Sequence, residues 1–304
     1  MERFKNILVV LNNVIGDDDT LSLAANLATK NNARLTVLEV VQDSTLSSSF
    51  LDERKKRLNR LTESIRVSGV RLETILLKGT LFLEIIHQVV RGKHDLVLMV
   101  TDGGRGYRKL FFGSDTLHLL RKCPCPVWIT KQEPQSNYDH ILAAIGPLSE
   151  NDKENSLNTS IMDLATSITQ QNGGILHIVH SWEVTGNDSL TLRSEITSEI
   201  ENNILTKHKA KFQNALIHFL NHYDLSKITY EIHLKRGAPE FLVPEVQDTS
   251  DINLIVMGTI KKSVVPGYFV GNSAESILEQ VNCSVLAVKP EGFVSPVVLE
   301  ERFY

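Results

Sequence analysis

The chain is written twice, and that repetition limits what it can fold into more than any other feature. "NILVVLNN" (Asn6–Asn13) reappears as "HILAAIGP" (His140–Pro147) at an offset of 134 residues, and "LAT" at Leu27–Thr29 recurs at Leu164–Thr166, offset by 137. "HDLVLMV" (His94–Val100) is answered by "DINLIVMG" (Asp251–Gly258), with Leu96 against Leu254 at an offset of 158. Gly79, Gly113 and Lys131 meet Gly237, Gly271 and Lys289 at that same offset, and "CPVWITK" against "CSVLAVK" keeps the register to the end. A fixed order with a growing offset means two related units, the second carrying insertions. The repeat is too long for a solenoid element, so it is a duplicated domain. The polar stretch "QEPQSNY" (Gln132–Tyr138), broken by Pro134, reads as the linker. The expected domains are residues 1–132 and 138–304, with an insertion over about 182–205, and 304 residues suit two domains of about 150 each.

Within each unit strands alternate with helices. "NILVVL" is followed by a helix around Asp18–Lys30, then by the strand "RLTVLEVV". "FLDERKKRLNRLTESIRVSG" places Leu51, Leu58, Leu61 and Ile65 on one helical stripe with charges opposite, and Gly69 as a stop. "RLETILL", the helix "LFLEIIHQVVRG", the strand "DLVLMV", a helix over about Asp115–Arg121 and the strand "PVWITK" complete the unit. Strands that are apolar throughout and alternate with helices belong to a parallel sheet covered on both faces. Right-handed crossovers then wind it doubly. The expected fold is α/β: two tandem doubly wound, Rossmann-like domains, each with a five-stranded parallel sheet, packed as a pseudo-twofold dimer.

Composition excludes several function classes. Apolar residues at 42% and charged residues at 22% describe an ordinary globular chain, and no apolar run approaches the length of a membrane span. "MERFKNILVVL" lacks the parts of a secretion signal, so the expected location is cytoplasmic. A net charge of −4 argues against direct nucleic-acid binding. Cys123, Cys125 and Cys283 cannot build a disulfide framework, and free cysteine behaves as a small hydrophobe, so buried thiols are expected.

In an open parallel sheet, ligands bind at the carboxyl ends of strands where strand order reverses. Attention falls on the loops after strands one, two and four of each unit. "VMGTIKKSVVPGYFVGNSAE" (Val256–Glu275) runs from strand four into Gly271-Asn272-Ser273, a helix start; Gly113-Ser114-Asp115 is its counterpart. Helix N-termini leave free N–H groups and a positive dipole end that suit an anion. Asp115 and Glu275 in the first helical turns would repel a polyphosphate; Lys261, Lys262, Arg105, Arg108 and Lys109 would offset them. Two readings stand for each loop: a capped helix after a solvated basic connection, or an anion or nucleotide site.

At these residues the chain resembles the universal stress protein family in its tandem form, of the E type. The family's nucleotide-binding branch cradles ATP phosphates with a loop of Gly, two residues, Gly, nine residues, Gly, then Ser or Thr. The second unit offers Gly258, Lys261, Gly271 and Asn272 at these spacings, so the second glycine and the hydroxyl residue are replaced. Thr259 and Ser273 flank those positions. The first unit offers Val100, Gly103, Gly113 and Ser114, losing only the first glycine. The resemblance also implies an acid at the end of strand one for the adenosine part, where this chain has Asn12 and Gly146. What it implies is a stress-response protein that binds a ligand without catalysis. ATP is the implied cofactor, with slow ATP hydrolysis or an apolar or anionic small-molecule ligand as alternatives. It further implies that "CPVWITK" and "CSVLAVK" form the pairing surface, with Trp128 as an anchor. The chain would then be a monomer with an internal pseudo-dimer, or a homodimer.

No G-x-S-x-G, H-E-x-x-H or G-x-x-x-x-G-K-[ST] motif occurs, and no constellation reads as catalytic. His177 and His180 lie three apart on a strand, on opposite faces, and cannot chelate one metal together; His180 falls nearer the strand-two loop. Asn158 and Asn187 fit the glycosylation triplet, which means little without a secretion signal. In the insertion Leu192, Ile196, Ile200, Ile204 and Phe212 recur at near-helical spacing. They suit a helix packed on the sheet, or a pocket wall that admits a bulkier apolar ligand.

Overall fold

The computed structural model describes residues 4–12, 14, 16–42, 47–100, 113–130, 138–149, 151–184, 198–262, 268–270 and 272–298. The first repeat runs β1 (Asn6–Leu11), α1 (Asp17–Asn31), β2 (Arg34–Val41), α2 (Ser48–Val67), β3 (Arg71–Lys78), α3 (Leu81–Gly92), β4 (Leu96–Val100), α4 (Ser114–Lys122), β5 (Val127–Thr130). The second runs β6 (His140–Ile145), a 3-10 turn at Asp152–Asn155, α5 (Ser156–Asn172), β7 (Ile175–Trp182), α6 (Ser198–Leu220), β8 (Thr229–Arg236), α7 (Pro239–Thr249) and β9 (Leu254–Gly258). It ends with β10 (Ile260–Lys262), β11 (Tyr268–Val270), α8 (Asn272–Gln280) and β12 (Ser284–Val288).

The two repeats build the same alternating Rossmann-like scaffold. In the first, β1 pairs in parallel with β2 and β4, β2 with β3, and β4 with β5, giving the order β3-β2-β1-β4-β5. In the second, β6 pairs in parallel with β7 and β9, and β7 with β8. The crevice between β1 and β4, and that between β6 and β9, are therefore the points where strand order reverses. Every residue of β1 and β4 is buried, as continuous apolar runs covered on both faces require. The flanking strands β3 and β8 are largely exposed or half-buried.

By contact, the chain divides into a first compact unit of residues 1–137, 259–271 and 278–304 and a second of 138–258 and 272–277. Thus β12, the last strand of the second repeat, lies in the first unit, antiparallel to β5 with Leu286 opposite the buried Trp128. This places the two expected strands and their aromatic anchor together.

The offset between equivalent strands is 134 residues for the first strand, 141 for the second and 158 for the third. Most of the extra length therefore enters between β7 and β8. Leu192 and Ile196 lie outside the described residues. From Ser198 the chain is one helix whose buried residues are Leu216, Phe219 and Leu220, while Ile200 is 46% exposed. The strand-four connection of the second repeat is more than a loop: Ile260–Lys262 and Tyr268–Val270 form an antiparallel pair, with Lys261 opposite Phe269. The Tyr-Phe-Val arm has strong strand preference, and Ile260 adds a β-branched residue on the other.

Candidate functional site

In the first unit the carboxyl ends of β1 and β2 and the start of α4 surround the reversal point. An acid does stand five residues after Asn12, at the first position of α1, but it faces the backbone. Asp17 is buried, and its two carboxylate oxygens accept the N–H groups of Asn12 at 3.3 Å and Val14 at 3.1 Å. Its role is to hold the loop. On β2, Glu39 is 1% exposed and ion-paired to Arg54, with Arg57 at 3.7 Å, both from α2. Burial pushes the Glu39 carboxyl above its ordinary range, the two guanidiniums pull it back, and nearby Asp17 adds to the upward push. Immediately after β2, Gln42 donates from Nε2 to Asp115 Oδ2 at 3.3 Å, touching the first turn of α4.

Gly113 is the residue before α4. Its φ of −60° is open to any side chain, and a Cβ there would meet nothing within 4 Å. Neither the backbone conformation nor packing among the described residues requires glycine here. No side chain caps the helix, and the first intrahelical bond runs from Leu117 N–H to Gly113 O at 3.1 Å. The N–H groups of Ser114 to Thr116 precede that bond, and Ser114 is exposed. Gly103, Arg105, Arg108 and Lys109 lie outside the described residues, so only part of the expected constellation, Asn12 with Gly113 and Ser114, is placed at this edge.

The second unit uses the same framework with different chemistry. Gly146 N–H donates to Asn158 Oδ1 at 2.9 Å, and Asn158 Nδ2 donates to Pro147 O at 3.1 Å, so a buried amide does the work of Asp17. By strand register, His180 stands where Glu39 stands: Ile145 pairs with His180 as Leu11 pairs with Glu39. His180 is 1% exposed and donates from Nδ1 to Ile145 O at 3.3 Å. Burial holds its imidazole below the usual range, and the carbonyl bonds only partly restore it. Phe212 of α6 lies over it, with ring centroids 6.0 Å apart, and stacks on Trp182 at 6.1 Å.

The remaining candidates are dispersed. A Cβ on Gly258 would sit 2.7 Å from Leu157 Cδ2, so this glycine is accounted for by the packing of α5. Thr259 has no exposed surface; its Oγ1 donates to Leu120 O at 3.2 Å and accepts from Lys289 Nζ at 2.7 Å. Lys289 is bonded to Leu120 O as well, and burial brings its ammonium down to about 8. Lys261 lies in β10, Asn272 opens α8, and Ser273 is half-buried one position further on; Gly271 lies outside the described residues. All three cysteines are buried, as expected, and none is in a disulfide; the Cys123 and Cys125 Sγ atoms lie 3.6 Å apart.

Sequence reading missed the Glu39–Arg54–Arg57 group, although a lone acid inside the apolar run "RLTVLEVV" was a usable signal. It also missed a row of imidazoles on β6, β7 and β8, because those partners are distant in sequence. A groove of about 350 Å³ lined by Arg34, Arg71, Glu73 and His94 opens at the amino ends of β1 to β3, opposite the edge at which such sheets bind ligands.

A profile of the Universal stress protein family matches residues 3–131 and again residues 137–289. The chain belongs to the universal stress protein family. It has the tandem form, with one family domain in each repeat. It is similar to Universal stress protein E of Escherichia coli K12, at 24% identity over 99% of both chains. The Haemophilus influenzae homolog of Universal stress protein E is 25% identical over 95% of this chain and 98% of its own. Among solved structures, a functionally unknown Pseudomonas aeruginosa PAO1 protein matches with TM-score 0.76 at 22% identity, covering 95% of this chain and 94% of its own. A universal stress protein from Archaeoglobus fulgidus matches with TM-score 0.63 at 20% identity, covering 93% and 98%. These likenesses concern the fold. Among the described residues no helix is long and apolar enough to cross a membrane.

Proposed function

We propose that this protein is a non-catalytic, ligand-responsive member of the stress-protein family, working in the cytoplasm, whose first repeat takes a nucleotide or similar anionic ligand at the start of α4. The observation that carries the reading is Gly113: among the described residues no side chain caps this helix N-terminus, and none packs where a Cβ on the preceding glycine would sit. Close approach of a ligand to the backbone supplies the missing reason. Arg54 and Arg57 add positive charge beside the carboxyl end of β2, partly spent on Glu39. Three buried cysteines without a disulfide suit a reducing compartment. The second repeat acts as support: its glycine after strand four is closed by Leu157, and its hydroxyl neighbour Thr259 is buried.

A scaffold that binds no nucleotide is the competing reading, favoured by the absence of an acid at Asn12 and Gly146. Equilibrium binding of labelled ATP with magnesium to the full chain separates the two. Saturable binding that weakens at least about tenfold, some 1.4 kcal/mol, in Gly113→Val supports the ligand reading. No saturation would leave the scaffold.

A further inference from the structure

Away from that edge, four side chains form a cluster that family membership does not explain. His140 opens β6, His177 is the third residue of β7, and Glu231 and His233 are the third and fifth of β8. The register sets His177 opposite Glu231, and residues two apart on a strand share a face, so Glu231 and His233 both stand beside His177. The rings form a row: His140 and His177 centroids are 5.4 Å apart and 24° from parallel, His177 and His233 5.4 Å and 19°. The cluster lies toward the amino ends of the strands, about 15 Å of strand from the carboxyl edge.

The ligand atoms converge. His177 Nδ1 is 3.1 Å from His233 Nε2 and 3.6 Å from Glu231 Oε2; His233 Nε2 is 3.9 Å from the same oxygen. A zinc-type ion bound tetrahedrally with metal–ligand distances of about 2.0–2.2 Å needs donor atoms about 3.3–3.5 Å apart. The observed triangle brackets that spacing, and changes of a few tenths of an ångström would fit it to the ion. The other nitrogen of His177 is occupied in the manner a metal-bound imidazole requires: Nε2 lies 3.2 Å from His140 Nδ1, which can accept its N–H and fix the tautomer. His140 is itself anchored, its backbone N–H donating to Asn253 Oδ1 at 3.2 Å.

The fold does not demand these residues. In the first repeat the same register positions carry Asn6, Thr36, Glu73 and Ile75, so the acid has a counterpart and the three imidazoles do not. Burial also differs along the row. The His177 side chain is 3% exposed, that of His233 16% and that of Glu231 58%, which gives a rigid inner ligand and an outer ligand facing water.

We propose that His177 Nδ1, His233 Nε2 and Glu231 Oε2 bind one divalent transition-metal ion of the zinc class, with His140 as the positioning residue behind His177. Solvent completes the fourth position. Imidazole and carboxylate ligands suit zinc and its neighbours rather than calcium or magnesium. The ion would tie β8 to β7, and a ligand that binds only the folded state raises the melting temperature by mass action.

The test uses the full chain stripped with chelator, then titrated with Zn²⁺, with Co²⁺ as a spectroscopic probe of tetrahedral geometry. The expected result is one Zn²⁺ per chain, visible cobalt bands and a higher melting temperature. Glu231→Gln and His233→Gln, both at solvent-facing positions on β8, weaken binding at least about tenfold and remove the thermal shift. His140→Gln weakens it about 10–100-fold while the cobalt spectrum persists. The double variant His218→Gln/His222→Gln, which removes another adjacent histidine pair on and just after α6, leaves binding unchanged. Absence of saturable Zn²⁺ binding, or binding that survives Glu231→Gln and His233→Gln, would overturn the assignment. So would binding abolished by the double variant.

Discussion

Glu39 and His180 occupy the same place in the two repeats, and they solve the burial of a polar side chain in opposite ways. In the first repeat the carboxylate is neutralised by two arginines from the following helix; in the second the imidazole stays neutral under an aromatic cover. The same divergence recurs at the strand-one loop, where Asp17 binds backbone amides as an anion and Asn158 does so as an amide. It recurs again at the glycines: Gly113 opens on empty space and Gly258 is filled by Leu157. One ancestral scaffold thus kept a charged, open edge in one copy and took on a closed, apolar one in the other. Duplication frees one copy to change because each compact unit has its own internal packing.

The largest expected effect breaks the charged half. Arg54→Met would leave Glu39 buried with only the more distant Arg57, and stranding a buried charge costs about 3–5 kcal/mol. Arg54 is about one-fifth exposed, so the lower end is expected, about 3 kcal/mol, read as a fall in the urea midpoint. A loss under about 1 kcal/mol would mean that Arg57 suffices.

Next come the two glycines. Gly258→Ala forces Leu157 to move and is expected to cost about 1–3 kcal/mol, as overpacking does. Gly113→Ala, at an ordinary φ with no described atom in the way, loses only the N-cap preference of glycine over alanine and is expected to cost about 0.5–1 kcal/mol. Equal costs in thermal unfolding would erase the distinction between a filled edge and an open one.

The smallest effect is at His180. Its Nε2 is buried without a hydrogen bond, so His180→Phe should leave stability at pH 7 within about 1 kcal/mol of the parent. The pH response carries more information. Because burial lowers the His180 pKa, the unfolded state takes the proton first as pH falls below about 6.5, and this site loses stability from there down through its folded pKa. Glu39 behaves oppositely. Its raised carboxyl takes a proton in the folded state first, so its contribution is fully present below about 4.3 and is lost as pH rises through the folded pKa. Amide exchange, corrected for intrinsic rate, should therefore show protection of β7 falling on acidification, less so in His180→Phe. Protection of β2 should gain from protonation of Glu39. Slopes of the same sign at both sites would contradict the contrast.

Much of the fold was legible because strand register survives duplication: Leu96 against Leu254 and Lys131 against Lys289 need only counting. Helix ends were legible to within a residue or two where a cap left its mark. The helix expected around Asp18–Lys30 runs Asp17–Asn31 and ends at Asn32 in the left-handed region, at φ 48°. The site was less legible, because its chemistry is made by tertiary neighbours. Nothing near Gly258 in sequence announces Leu157, and nothing near Glu39 announces Arg54. The β10–β11 pair was hidden because "TIKK" and "YFV" are too short to carry a period. Glu231 and His233 did carry one, alternating on a single strand face, but the third member, His177, lies 54 positions before Glu231.

The most direct test of the contrast is photo-crosslinking with an azido-ATP analogue and magnesium, followed by mass mapping of the labelled peptides. The account predicts label confined to the first repeat, on peptides carrying Asn12, Gln42 or residues 113–122. Label on residues 146–158 or 272–280, equal to or exceeding that in the first repeat, would contradict it.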